Sequence, residues 1–454
     1  MARALTPREE PRPRPPRRRW GSLVLALSAS LGACDRGPSL SKQDEASLGA
    51  ELGEVPPDNP KLGAIADVTF VHALPRASSQ KLGYLHAGAL VARSEAKLEN
   101  EDCMEGWYAI HPRGFVCTDR SATTDLDHPT LAAMGMQPQL DAALPYTYAR
   151  TTKVTPLFER TDDNSVTRAG RLGRGSTLAI VGRWTAPDES LEPQRLGLSM
   201  SGRFVRAEDL SAATPSAFRG VALGGDEKLP LGFVVKRGIR IWSLDGDRPT
   251  PGAELPYHTI LPLTGRYRTV EGERFYATQD DRWVRHKDVT VVLERHEFPD
   301  FAKDGLRWID ISVITNVAVW YEGRRPVHVT LVSVGRDRLG DPAETAATER
   351  GTFEVVAKHV TRRDQNPDPA SGSAARYDVP WVLELSNGQL LHAALGHDRF
   401  GIEHTDGNVH LSPGDASLLF RWATPELPEG WHSVRRWDEG AAETAPKTLV
   451  HVRK

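Results

Sequence analysis

The strongest constraint on the fold is how often glycine and proline interrupt short runs of alternating apolar residues. The stretch VTFVHALPRASSQKLGYLHAGALV, which starts at Val68, is typical of this pattern. The chain holds 39 Gly and 33 Pro, and both residues disfavour helix interiors. The sequence therefore predicts a mainly β protein, built of short strands and turns with a few short helices.

The composition indicates a folded globular protein with several domains. The chain has 454 residues, of which 39% are apolar and 26% are charged, and its length favours about three domains. Its formal net charge of −3 gives no indication of nucleic-acid binding. No cofactor is predicted.

The N-terminus has the pattern of an export signal. The basic stretch PRPRPPRRRW is followed by GSLVLALSASLGAC, an apolar run too short for the ~20 residues of a membrane span. Its end at Cys34 resembles the lipobox of bacterial lipoproteins, in which the cysteine is lipidated and becomes the mature N-terminus. The alternative is ordinary cleavage, with Cys34 incidental. We expect a lipoprotein signal peptide over 1–33, a flexible tether over 34–62, and lipid anchoring on the periplasmic face of a bacterial membrane.

The two remaining cysteines, Cys103 and Cys117, are an even pair in a chain predicted to be exported. Such a pair indicates a disulfide, which would close a loop of about 15 residues and stabilise by roughly 3 kcal/mol. Two reduced and buried thiols are the alternative.

Three β-rich segments follow the tether, over 65–122, 146–212 and 228–292. The second ends in GRFVRAEDL and the third in DRWVRHKDV, an internal repeat about 80 residues apart. This pattern resembles the closing strand of bacterial Src-homology-3-like barrels, and GWYAIHPRGFVC in the first segment is a looser version. The resemblance implies small barrels, which act either as cell-wall binding modules or as spacers.

The last segment, 304–436, reads as a separate domain. Hairpins are predicted around Gly323 and Gly388, and the polar stretch TRRDQNPDPASGSAAR is expected to form a flap. A helix is predicted in LSPGDASLLFRWA, with Ser412 as N-cap, Pro413 at the first helical position and Asp415 in the first turn.

This segment resembles the L,D-transpeptidase (YkuD-type) catalytic domain over nearly all of its length. The resemblance implies a β-sandwich or barrel domain that acts on peptidoglycan stem peptides. The stretch LHAALGHDRFG is similar to the segment with the first active-site histidine, which falls on His392. The stretch HTDGNVHLSPGDA occupies the place of the catalytic loop SHGCVNLSP.

The register of that loop changes the expected chemistry. Thr405 stands for the family's serine, Asp406 for its histidine, Gly407 for its glycine, Asn408 for the nucleophilic cysteine and His410 for an asparagine or arginine. A carboxamide cannot replace the thiolate, because its nitrogen lone pair is delocalised. The resemblance therefore implies a catalytically inactive domain, with peptidoglycan stem peptides or an active paralogous transpeptidase as partner. The residues expected to contact the ligand are His392, His397, Arg399, Thr405 and His410.

Two other interpretations stay open. A working enzyme could use the Thr405 or Ser412 hydroxyl as nucleophile, or a metal held by His404, Asp406, Asn408 and His410; the tight glycine loop disfavours the metal. The third interpretation is a structural envelope spacer with no affinity for the wall.

Overall fold

The computed structural model describes residues 55–161, 165–186, 194–363, 378–437 and 446–454. The signal peptide, most of the tether and all but the first three residues of the polar stretch predicted as a flap lie outside them. The prediction of a mainly β protein is confirmed, since the described residues hold two short α-helices, two 3₁₀ turns and otherwise strands and loops. Among these residues no helix has the length and apolarity to cross a bilayer.

The first unit, residues 61–123, is a set of short strands in two sheets. Cys103 begins one strand and Cys117 ends its partner, and the predicted disulfide is present with an S–S distance of 2.06 Å. Val55 is already buried beside Trp107, so the folded body begins within the range expected for the tether. The strands are β1 (Lys61–Ala64), β2 (Thr69–His72), β3 (Lys81–Leu85), β4 (Leu90–Ala92), β5 (Leu98–Asn100), β6 (Cys103–Ala109), β7 (Phe115–Cys117) and β8 (Ala122–Thr123), followed by helix α1 (Pro129–Ala133).

The second unit (residues 147–212) and the third unit (residues 231–292) have the same strand order, as the repeated motif suggests. The second-unit sheet runs β11-β10-β14-β13-β12-β9-β15, and the third-unit sheet runs β19-β18-β22-β21-β20-β17-β23. The second-unit strands are β9 (Thr147–Thr151), β10 (Thr155–Arg160), β11 (Val166–Leu172), β12 (Thr177–Ala186), β13 (Gln194–Ser199), β14 (Phe204–Arg206) and β15 (Leu210–Ala212). Strand β16 (Val221–Ala222) precedes the third-unit strands β17 (Leu231–Val234), β18 (Ile239–Asp245), β19 (Arg248–Leu255), β20 (Ile260–Val270), β21 (Glu273–Thr278), β22 (Trp283–Arg285) and β23 (Val289–Val292).

The repeated motif has a structural explanation. Its valine, Val205 or Val284, is fully buried in the unit core, and its aspartate, Asp209 or Asp288, is buried at the end of a 3₁₀ turn. Asp288 accepts a hydrogen bond from Arg285 Nε at 2.8 Å. Each motif therefore contributes one valine to the core of its unit and one buried carboxylate that requires hydrogen-bond donors.

The C-terminal domain, residues 306–452, is a β-sandwich whose two sheets share the 13-residue strand β27. Residues 351–354 of this strand pair with β32, whereas residues 355–363 pair with β28 and β31 on either side. Helix α2 packs on β28 and β29. The elements are β24 (Arg307–Ser312), β25 (Val317–Glu322), β26 (Arg325–Leu331), β27 (Gly351–Arg363), β28 (Asp378–Leu385), β29 (Leu390–Ala393), β30 (Val409–Leu411), α2 (Pro413–Trp422), β31 (Ser433–Arg435) and β32 (Thr448–Arg453).

The first unit and the C-terminal domain share a sheet, because β3 pairs with β31. Gly83 lies opposite Val434, and Tyr84 lies opposite Ser433. A Cβ atom at Gly83 would lie 2.1 Å from the carbonyl oxygen of Ser433, so this pairing requires glycine. The other two units also share buried apolar clusters with the C-terminal domain. The C-terminal domain therefore contacts all three preceding units.

Asp415 is a buried carboxylate that joins three parts of the chain. It lies in the first turn of α2, where Ser412 caps the helix as predicted by accepting a bond from the Asp415 N–H. Its oxygens accept bonds from Thr330 Oγ1 at 2.6 Å, His328 Nε2 at 3.1 Å and the Gly220 N–H at 3.0 Å. This set of donors offsets the cost of burying the carboxylate.

Lys358 is a fully buried lysine inside β27. Its ammonium donates to the carbonyl oxygen of Ala423 at 2.8 Å and lies 4.6 Å from the centre of the Phe420 ring. Burial lowers the pKa of Lys358 to about 7. The protein therefore loses stability by burying the charged form.

We expect Asp415→Ala to lower the free energy of unfolding by roughly 3 to 5 kcal/mol, because the donors from Gly220, His328, Thr330 and Ser412 lose their buried acceptor. Thermal unfolding followed by circular dichroism measures the change. The matched control is Asp300→Ala, since Asp300 is exposed. Equal melting temperatures of the two variants would contradict this role for Asp415.

We expect Lys358→Met to stabilise the protein by roughly 1 to 4 kcal/mol near pH 6, the range for replacing buried charged groups by apolar side chains of similar volume. The pKa of Lys358 is lower in the folded state than in the unfolded state, so the penalty is complete below pH 7 and disappears as the pH rises toward the unfolded value. The stability difference should therefore shrink between pH 7 and 10. Denaturant unfolding across this range checks it, with the exposed Lys303→Met as control.

Candidate functional site

The site residues are positioned by two adjacent parallel strands, β29 and β30. His392 lies opposite His410 in this pair, and their ring centres are 4.3 Å apart. The loop from 394 to 408 connects the strands and carries His397 and His404. Because α2 starts directly after β30, the capped helix fixes the end of the second strand.

Four histidines thus form one cluster. The rings of His397 and His404 are 4.6 Å apart, and those of His397 and His410 are stacked at 5.2 Å. His397 Nε2 lies 2.9 Å from His410 Nδ1. The sequence analysis placed His392, His397 and His410 among the ligand contacts and named His404 only as a metal ligand, and the structure brings all four together.

The hydrogen bonds define how protons are arranged in this cluster. His397 Nδ1 accepts from the Arg399 N–H at 3.1 Å, so its other nitrogen carries the proton and donates to His410 Nδ1. His392 Nδ1 bonds to the carbonyl oxygen of Ala393 at 3.0 Å, which requires a proton on Nδ1. A neutral His410 ring then carries its proton on Nε2.

Asn408 has a structural hydrogen bond. Its carboxamide oxygen accepts from the Leu390 N–H at 3.0 Å, which ties the residue to the start of β29. Gly407 has a φ of +104°, and its carbonyl oxygen accepts from Thr348 Oγ1 and Gln389 Nε2. The loop before β30 is therefore held mainly through its backbone.

Asp406 and Thr405 have different surroundings. The side chain of Asp406 is 74% exposed and forms an ion pair with Arg336. Thr405 is buried, and its hydroxyl donates to the carbonyl oxygen of Asn408. Neither arrangement activates a nucleophile, since the carboxylate has no adjacent thiol and the hydroxyl is already bonded to the backbone.

A cavity of about 330 Å³ adjoins the histidine cluster. The four histidines and Asp406 line it, whereas Arg399, Thr405, Gly407 and Asn408 are not among the described residues of its wall. The wall also includes Arg150, Gly175 and Thr177 of the second unit, together with Asp378 of β28.

The sequence analysis did not identify Arg150 and Asp378, because Arg150 lies far from the loop in the chain and neither residue belongs to a recognisable motif. Asp378 Oδ2 accepts from the Ala179 N–H at 2.8 Å, which links the second unit to the cavity wall. Burial raises the pKa of Asp378 to about 6. The cavity wall therefore contains one carboxyl group whose titration is shifted toward neutral pH.

The predicted alternative of a metal site has little geometric support. Within the described ranges, the only three potential ligands close enough to share an ion are Cys103, Cys117 and Asp119, and both cysteines are joined in the disulfide. His404, Asp406 and His410 do not form such a group.

Residues 306–452 match the family model of the L,D-transpeptidase catalytic domain, YkuD. No curated protein sequence matches the chain.

Several solved structures are similar to the chain. An L,D-transpeptidase from Xylanimonas cellulosilytica has 16% identity and a TM-score of 0.22, covering 35% of this chain and 65% of its own. One from Stackebrandtia nassauensis has 17% identity and a TM-score of 0.21, covering 31% and 61%. L,D-transpeptidase 3 from Mycobacterium tuberculosis has 16% identity and a TM-score of 0.23, covering 42% and 79%. The chain thus spans less than two thirds of the first two structures. On the family match, residues 306–452 form a YkuD-type L,D-transpeptidase domain.

Proposed function

We propose that the C-terminal domain has lost the acyl-transfer chemistry of its family and binds peptidoglycan stem peptides without cross-linking them. The observation that carries the proposal is Asn408, which stands at the position of the family's cysteine. Its carboxamide oxygen is bonded to the Leu390 N–H. A neutral amide in this position has neither a thiolate nor a lone pair that could attack a peptide carbonyl.

The hydroxyl groups near the loop support the same conclusion. Thr405 is buried and donates to a backbone carbonyl. Ser412 is fully buried, caps α2 and donates to Asp415 Oδ2 at 2.9 Å. Both hydroxyls hold the fold together, which disfavours a substituted nucleophile.

The cavity supports binding. Its histidines offer both donors and acceptors, Arg150 offers a cation, and Asp378 offers a carboxyl group. Peptide stems carry amides and carboxylates that such groups can hydrogen-bond, and a volume of about 330 Å³ accommodates part of a stem. Support of an active partner transpeptidase is compatible with this role.

We further propose that the protein is an exported envelope lipoprotein anchored through Cys34, with the three N-terminal units acting as Src-homology-3-like barrels. The sequence before Cys34 supports export. The Cys103–Cys117 disulfide is compatible with an oxidising compartment.

We expect the purified protein to be retained on isolated peptidoglycan sacculi. Arg150→Ala should reduce retention at least threefold, because it removes the exposed cation from the cavity wall. Arg168→Ala, which changes an exposed arginine of the same unit away from the cavity, should have no effect. The bound fraction is measured by co-sedimentation. Absence of retention would favour the spacer interpretation.

We expect the unaltered protein to form no new cross-links with disaccharide tetrapeptides, and Asp406→His with Asn408→Cys to form them. The double variant restores the family's thiol and base in the loop beside a cavity that still has His392. Chromatography and mass spectrometry of the muropeptides measure the products. The matched control is the double variant that combines Asp406→His with Asn408→Ser. Cross-links made by the unaltered protein would contradict an inactive domain.

A further inference from the structure

A second cavity lies where the first unit meets the C-terminal domain. We call it the junction cavity; its volume is about 620 Å³. Four stretches of chain form its wall: residues 86–90, residues 126–140 around α1, Tyr146 and residues 429–432. It shares no described wall residue with the histidine cavity.

One part of the mouth of the junction cavity is apolar. Leu90, Leu126, Met136 and Leu140 belong to its wall, and each is between 39% and 50% exposed. They are four of the twelve large apolar side chains that are exposed in the described part of the chain. A concentration of exposed apolar side chains around a concave site is typical of a binding site.

Close backbone contacts fix the walls. Gly88 has a φ of +89°, and a Cβ atom there would lie 2.0 Å from the carbonyl oxygen of Met134. A Cβ atom at Gly430 would lie 2.8 Å from the carbonyl oxygen of Leu90. Because glycine lets these segments touch, the cavity is preformed and its occupation requires little rearrangement.

The interior has unsatisfied polar atoms on buried aromatic side chains. Trp431 Nε1 and His432 Nε2 are buried and have no hydrogen-bond partner among the described residues. His432 is stacked on Tyr146, with ring centres 5.9 Å apart. Burial lowers the pKa of His432 well below its usual value, so this ring adds no positive charge at neutral pH.

Apart from the histidines, the ionisable side chains of the wall that carry charge at neutral pH are acidic. Asp127 and Glu429 are exposed wall residues, and the described wall contains no lysine or arginine. A cationic group at the mouth is therefore attracted, whereas an anionic group is repelled.

We propose that the junction cavity binds a small ligand with an apolar body and an ammonium group. The apolar body packs against Leu126 and Met136 and the aromatic residues behind them. The ammonium group lies at the mouth, near Asp127 and Glu429. This site is separate from the proposed stem-peptide site and does not depend on it.

Matched probes test the charge preference. Isothermal titration calorimetry of the full chain at pH 7 compares 4-phenylbutylammonium with 4-phenylbutyrate, which share an apolar body but carry opposite charges. We expect the ammonium compound to bind at least tenfold more tightly, and its affinity to fall as salt is added. Equal affinities, or tighter binding of the carboxylate, would overturn the proposal.

Variants locate the site. We expect Leu126→Ser with Met136→Ser to weaken ammonium binding about tenfold, whereas Val154→Ser with Leu293→Ser, which change apolar side chains of similar exposure elsewhere, should leave it unchanged. Asp127→Asn with Glu429→Gln should abolish the charge preference, and Asp58→Asn with Glu101→Gln should not. The residues of all four pairs are exposed. Thermal unfolding checks that the four double variants fold.

Two further results decide the matter. Arg150→Ala should not change ammonium binding, so loss of sacculus binding and loss of ligand binding are distinguishable. Binding that is unaffected by Leu126→Ser with Met136→Ser would place the probe elsewhere and overturn the proposal.

Discussion

The organisation of the C-terminal domain depends on the buried carboxylate of Asp415. It is fully buried, yet it accepts bonds from a helix cap, from β26 and from the segment that precedes β16. A buried carboxylate without these donors would lower the stability of the protein. Each of these elements is therefore held where it can donate a hydrogen bond to Asp415. Since α2 follows β30 after a single residue, the same contact fixes the strand that carries His410. The position of His410 in the candidate site thus depends on a buried carboxylate that lies outside the site.

The features that could be predicted from the sequence are those with a local cause. Ser412, Pro413 and Asp415 form the expected helix start because capping acts over three residues. The disulfide followed from an even pair of cysteines, and the repeat of the second and third units followed from one short motif with a buried valine and aspartate. The mainly β fold followed from the distribution of glycine and proline. The predicted inactivity rests on the side chain at position 408, which the sequence gives directly.

The features that escaped prediction are contacts between distant segments. The wall of the histidine cavity includes Arg150 and Asp378, more than 200 residues apart, and no pattern in the sequence connects them. Trp381 has a φ of +55° and is fully buried, and its indole N–H donates to the carbonyl oxygen of Ala143 at 2.8 Å. This strained conformation persists because the surrounding packing determines it. The prediction of three barrels followed by a domain therefore says nothing of how these segments contact each other.

These contacts make the C-terminal domain inseparable from the units before it. The domain buries Lys358, Asp378 and His432, and burial disfavours the charged form of each side chain. Their cost has to be offset by apolar burial, and the apolar clusters that do so extend into all three N-terminal units. The loop carrying His397 is likewise held from outside, since Tyr257 donates to the carbonyl oxygen of Phe400 and a side chain at Gly401 would collide with Val235. The units therefore act on the site through the positions of its loop and its wall.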